Sequence, residues 1–187
     1  MFHIDVGTGS ALMLNNKIYC GTRGFAGEIG YFRLDAFRTR DDDYGNLKYS
    51  NYFDTLSLYS VLDIVRRGVS GGEKGYLTDL AGKRGVDAYG ISIKDMTDAY
   101  IAGDPVTARA LDSSARVLGS VAANLAEYLD IDMIVINGAA VDLGDNYLNA
   151  VRETARGKRV EYSSLMCDTT IMGAVNAGIT QAFSLRL

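Results

Sequence analysis

Histidine occurs once in this chain, at His3, proline once, at Pro105, tryptophan nowhere, and cysteine only at Cys20 and Cys167. The two cysteines are far apart and form no CxxC, so they read as reduced, buried apolar thiols rather than as a disulfide. Two thiols and one imidazole cannot fill a tetrahedral zinc site without carboxylates, and no structural zinc is expected. A single proline leaves no room for a proline-rich linker. Basic residues are not in excess, since 19 Lys and Arg face 23 Asp and Glu for a net charge of −4. That balance argues against a general nucleic-acid-binding surface, although a local basic patch stays open. No apolar run approaches the ~20 residues of a membrane helix, and the N-terminus has no signal-peptide pattern, so no membrane association is expected and the default address is the cytoplasm.

What is present is an ordinary globular composition, 48% hydrophobic and 22% charged over 187 residues. That length suits one domain with a single sizeable core. His3-Ile4-Asp5-Val6 reads as a strand entering the glycine turn Gly7-Thr8-Gly9, and the apolar run continues through residues 11–14. Asn15-Asn16 is a turn signal before Lys17-Ile18-Tyr19-Cys20, which predicts a hairpin. A glycine-punctuated loop covers residues 24–31, and Tyr31-Phe32-Arg33-Leu34 reads as a third strand. Residues 35–54 are polar and aperiodic, with an acidic run at 41–43, and are expected to form a long mobile loop.

The remainder alternates helices with strands. Helices are predicted over Leu56–Arg67, stopped by Gly68, then over Tyr76–Lys83 and over Ile93–Ala102 with Ser92 as its cap. Asp104-Pro105 opens the most periodic segment. Leu111, Ala115, Leu118, Val121, Ala122, Leu125 and Leu129 follow at spacings of three and four, one core-facing stripe of a long amphipathic helix. Residues 132–136 form a short apolar run of the buried parallel type, ending in the turn Asn137-Gly138-Ala139-Ala140. A helix over Asn146–Ala155, a strand over Val160–Ser163 and a helix over Thr169–Phe183 complete an α/β domain, its mixed sheet beginning with antiparallel hairpins and ending with parallel strands.

Two glycine-rich segments carry chemistry. The Gly7-Thr8-Gly9 turn exposes backbone N–H groups and a hydroxyl, which suits a phosphate oxygen, although such a turn is often only a turn. In Gly27-Glu28-Ile29-Gly30 a carboxylate stands between glycines on a loop and can accept from two vicinal hydroxyls, as polyol recognition requires. A solvated loop glutamate is the alternative reading of the same residues.

In order and spacing, Ile4-Asp5-Val6-Gly7-Thr8-Gly9, Asn16-Lys17-Ile18-Tyr19-Cys20-Gly21 and Gly24-Phe25-Ala26-Gly27-Glu28-Ile29-Gly30 resemble the ROK family. That family comprises bacterial sugar kinases and sugar-responsive transcriptional repressors. Ala102-Gly103-Asp104, the segment from Leu129 to Gly138, and Met172-Gly173-Ala174 look like its later landmarks. The resemblance implies the actin-like, hexokinase-like (ribonuclease H-like) ATPase fold, with residues 1–187 as one domain, a C-terminal lobe without the N-terminal lobe. It implies sugar contacts at Glu28, Tyr31 and Asp54, and nucleotide contacts at Gly7, Thr8, Gly9 and Gly138.

The departures from the family pattern matter as much. Tyr31 stands where the family usually has a histidine that touches sugar and binds zinc, and the expected zinc-binding cysteine cluster is missing from residues 40–53. Asp54 shortens a family glutamate, Ser10-Ala11 replaces an isoleucine–glycine pair, and Asn137 stands where a glycine is usual. The first phosphate loop and the catalytic aspartate of the kinases have no counterpart before Gly7. The reading implied is a sugar-sensing, dimerising lobe of a ROK-type repressor with no catalytic residue, no zinc and no other cofactor. Its partners would be a small sugar or sugar phosphate and a second copy, with DNA engaged only through a helix-turn-helix outside this chain. The alternatives are one lobe of an ATP- and magnesium-dependent sugar kinase of the glucokinase or fructokinase kind, or a lobe kept only for dimerisation.

Overall fold

The computed structural model describes residues 1–32, 56–165 and 169–184. Its main sheet has four strands in the order β2-β1-β5-β6. These are β1 (Phe2–Ile4), β2 (Thr8–Ser10), β5 (Met133–Asn137) and β6 (Arg159–Tyr162). β1 runs antiparallel to β2 and parallel to β5, and β5 runs parallel to β6. The mixed sheet with an antiparallel start is the arrangement expected from the sequence. A separate small hairpin joins β3 (Met13–Leu14) to β4 (Lys17–Ile18), shorter than the run of apolar residues suggested. Asn15 and Asn16 both take positive φ in its turn, the conformation asparagine tolerates best after glycine.

Two expectations about the N-terminal glycine-rich segments need correction. Gly7-Thr8-Gly9 is not the turn itself: Thr8 and Gly9 already pair with Ile4 and His3 in the β1–β2 ladder, and the reversal is made by Asp5, Val6 and Gly7. Tyr31 does not begin a third strand, because Ile29–Tyr31 close a 3-10 turn in which the Tyr31 N–H donates to the Glu28 carbonyl. The remainder of that expected strand, and the loop over 35–54, lie outside the described residues.

The described residues form six helices. They are α1 (Leu58–Ser70), α2 (Tyr76–Arg84), α3 (Ile93–Ile101), α4 (Pro105–Leu129), α5 (Gly144–Thr154) and α6 (Thr169–Ser184). Their starts follow local chemistry. Ser92 and Asp95 form a reciprocal capping box on α3, and Asp104 Oδ1 accepts from the N–H groups of Val106 and Thr107 at the first turn of α4. Gly68 does not stop α1, which continues to Ser70. A Cβ at Gly68 would stand 3.0 Å from both Glu73 Oε1 and Val106 Cγ1, so the glycine there serves close packing rather than termination.

α4 is the spine of the core. Leu111, Ala115, Leu118, Val121 and Ala122 are buried along its predicted stripe, and it packs chiefly against α5 and α1. Burying a Leu or Val side chain contributes about 1.5–3 kcal/mol, so this stripe dominates the helix's stability rather than its propensity. The helix ends where Asp130 turns into the left-handed region at φ 52°. No described helix is long and apolar enough to cross a membrane.

Candidate functional site

Parallel strands β1 and β5 lie side by side, so their carboxyl ends open at the same edge of the sheet. In such sheets ligands bind in the crevice beyond those ends. Three of the four residues suggested for nucleotide contact meet there. Gly7 and Thr8 follow β1, and Gly138 follows β5. Gly138 has φ 87° and ψ −167°, and a Cβ on it would come within 2.5 Å of the Ile4 carbonyl oxygen and 3.1 Å of His3 Cε1. Only glycine allows β1 and β5 to approach so closely at that point. Gly9 lies deeper, within β2 and opposite His3.

Asp5, which sequence reasoning did not single out, is the residue that bridges this crevice. Its Oδ2 accepts from the Ala139 N–H at 3.2 Å and its Oδ1 from the Val6 N–H at 2.7 Å. Its carbonyl accepts from the Leu58 N–H at 2.8 Å, which ties the start of α1 to the same turn. No local signal marks that bridging role, because Ala139 lies more than a hundred residues further along the chain. Asn137 also has a role other than the one expected. It is 5% exposed, and its Nδ2 donates to Thr169 Oγ1 at 2.6 Å, so its amide anchors the first turn of α6.

Glu28 stands at the other end of β2. The Ser10 N–H and hydroxyl both donate to the Gly27 carbonyl, at 3.0 and 2.7 Å, and Ile29 is buried. The backbone on each side of Glu28 is therefore pinned, while its side chain is exposed. Gly27 has φ 98°, and a Cβ there would run into the Ser10 carbonyl, which makes glycine necessary before the carboxylate. Two residues of strand, roughly 7 Å, separate the Ser10 end from the Thr8 end of β2. Tyr31 is 78% exposed, and Asp54 lies outside the described residues. Beside Glu28 is an apolar pocket of about 120 Å³ lined by Phe2, Leu12, Ile29, Phe32, Leu125 and Ile134. It can receive an apolar ring face but offers few partners to hydroxyls.

Compared with known protein families, residues 1–172 match the ROK family. The chain belongs to the ROK family. It is 25% identical over 192 residues to a xylose repressor of Caldicellulosiruptor bescii, an alignment covering 97% of this chain and 46% of the repressor. A crystal structure of a ROK family transcriptional regulator, a homologue of the E. coli MLC protein, superposes with TM-score 0.69 at 21% identity, over 86% of this chain and 40% of that one. A ROK family glucokinase from Streptomyces griseus, solved with glucose and AMPPNP, gives the same TM-score and identity over 86% of this chain and 53% of the glucokinase. These neighbours establish the actin-like ATPase fold. The chain spans about half the length of these relatives or less.

Among the described residues, no donor set fits the zinc site of the family pattern. No group of three His, Cys, Asp or Glu side chains among them could hold a metal ion, and Cys20, expected as a buried thiol, is instead exposed and free just after β4. The sequence from 33 to 55 adds neither cysteine nor histidine. Cys167 lies outside the described residues.

Proposed function

We propose that this chain is the sugar-sensing and dimerisation lobe of a cytoplasmic ROK transcriptional repressor and carries no catalytic activity by itself. The observation that supports it is Glu28: a rigid, glycine-flanked turn holds its backbone, while its carboxylate faces solvent, free to accept from two sugar hydroxyls. Tyr31, exposed beside it, supplies a ring to cover a sugar face and a hydroxyl to donate, and Asp54 is a lesser contact. The ligand class is a small sugar or sugar phosphate. The xylose repressor, aligned over 97% of this chain, favours a regulator. An acidic lobe does not itself attract DNA, so that contact falls to another domain. Exposed Ile171, Met172, Val175 and Ile179 on α6 give the lobe an apolar surface for assembly.

The second reading is one lobe of an ATP-dependent sugar kinase. The glucokinase neighbour favours it, since it superposes as well as the regulator does. Phosphoryl transfer needs ATP, magnesium and nucleophile held together, and this chain alone is expected to show none in a coupled ATP–hexose assay. Turnover that tracks the purified chain and vanishes with Glu28→Gln would replace the first reading with the second. The test of the sugar site is titration of sugars against wild type and Glu28→Gln, in the full-length protein as well as in this chain. A charge-assisted hydrogen bond contributes ~1.5–3 kcal/mol, so the variant should bind at least tenfold more weakly. Unchanged affinity removes Glu28 from the site.

A further inference from the structure

The crevice between β1 and β5 has the backbone of a phosphate cradle, but an anion from the chain itself already sits in it. Gly138 brings the two strands together, and the 3-10 turn Ala139–Leu143 starts with no side-chain cap from Gly138. The first N–H of that turn, on Ala139, is the donor a phosphate oxygen would take at the carboxyl end of a parallel strand. Asp5 Oδ2 takes it instead, at 3.2 Å. The Val6 N–H, the next donor along the β1–β2 reversal, is taken by Oδ1 of the same carboxylate at 2.7 Å. Across the reversal, Thr8 pairs with Ile4, and its Oγ1 is buried without a hydrogen-bond partner among the described residues. The cradle thus keeps a spare hydroxyl while its backbone donors are committed to a negative charge.

We infer that Asp5 is a specificity-determining residue that excludes phosphate, and with it the phosphate chain of a nucleotide, from the β1–β5 crevice. A phosphate entering would have to displace the carboxylate from two N–H groups and then lie against it. Like charges at that range repel, and the repulsion is strongest where the groups are partly removed from water. The crevice therefore accepts neutral ligands or none, and the fold keeps the nucleotide-site backbone without its binding capacity. This goes beyond the sugar reading and does not depend on it, because Glu28 lies at the opposite end of β2.

The experiment is a titration of inorganic phosphate, and separately of a non-hydrolysable ATP analogue, into the isotopically labelled chain. The Gly138 and Ala139 amide resonances are followed in wild type and in Asp5→Asn, with and without magnesium. The amide of Asp5→Asn still offers an oxygen to the Ala139 N–H but removes the charge. Asp5→Ser serves as a second variant should the first fold poorly. The expected result is phosphate binding at least tenfold tighter in the neutral variants than in wild type, seen as shifts of the Ala139 amide. Equal affinity in wild type and variants overturns the inference, and so does an absence of binding in all of them. Wild-type binding that requires magnesium and is lost in Asp5→Asn also overturns it, by making Asp5 a cation ligand. A sugar titration on the same samples reports on Glu28 independently, so failure of either idea is recognisable as its own.

Discussion

Replacing Gly119 with alanine should destabilise the protein, although the same change in an exposed helix stabilises it. Helix propensity alone favours alanine over glycine by up to about 1 kcal/mol. Gly119 is buried in the middle of α4, where α4 packs on α5. A Cβ there would fall well inside contact distance of Thr154 Oγ1 and the Val151 carbonyl oxygen. The hydroxyl can rotate away only by giving up its bond to the Arg116 carbonyl, 2.9 Å, which contributes about 1 kcal/mol. The Val151 carbonyl belongs to the backbone of α5 and cannot rotate away, so the two helices must separate. Overpacking of this kind costs about 1–3 kcal/mol, and the rigid partner puts it at the upper end. The net expectation is a loss of about 2–3 kcal/mol, equivalent to a fall in Tm of roughly 4–12 °C for a chain of this size. Urea unfolding followed by circular dichroism measures it. Gly82→Ala in α2 is the control, because a Cβ there meets nothing within 4 Å, and it should gain up to about 1 kcal/mol. Gly119→Ala as stable as wild type, or more stable, would refute the close-packing argument.

Two further outcomes follow from the same geometry. Gly138→Ala combines a backbone conformation natural only to glycine with a Cβ at 2.5 Å from the Ile4 carbonyl, so it should lose about 3 kcal/mol or fail to fold, as read by thermal denaturation. Burial opposes ionisation of Asp95, but hydrogen bonds from Arg84 and Ser92 outweigh it and hold the carboxyl at about 2. A depressed carboxylate stabilises the fold above its unfolded value of 3.8 and loses that contribution as pH falls from there toward 2. Arg84 is half exposed, so the contribution is on the order of 1–2 kcal/mol after screening, and urea midpoints for Asp95→Asn should show a flatter acid limb than wild type.

How legible the fold was depended on how local its causes are. The start of α4 was readable because Asp104 and Pro105 act within one turn, and its stripe because Leu111, Ala115 and Leu118 repeat at the helical period. Gly68 was misread because its neighbours Glu73 and Val106 come from a loop and another helix, and no sequence window shows a close approach between elements. Tyr31-Phe32-Arg33-Leu34 has strand composition, but the Glu28 carbonyl captures the Tyr31 N–H and winds Ile29–Tyr31 into a 3-10 turn. At the candidate site, Glu28 was visible through its flanking glycines. Asp5 was not, because its partner Ala139 lies more than a hundred residues away and becomes its neighbour only when β1 docks beside β5.

The position of β1 inside the sheet has a consequence for the order of assembly. Phe2 and Ile4 belong to the buried core, yet on one side they pair with β2 a few residues later and on the other with β5 around residue 136. Contacts of such long sequence separation are slow to form, because the intervening chain must be confined before they return any stabilisation. During synthesis at about 5–20 residues per second, β1 waits roughly 7–25 seconds for its inner neighbour. Over that interval the β1–β2 ribbon stands with its inner edge unpaired and two large apolar side chains in water, the features that recruit chaperones or a neighbouring copy. The strand that carries Asp5 to the crevice is thus made long before it is secured, and the donors of the Gly138 turn become available to Asp5 only at that final docking.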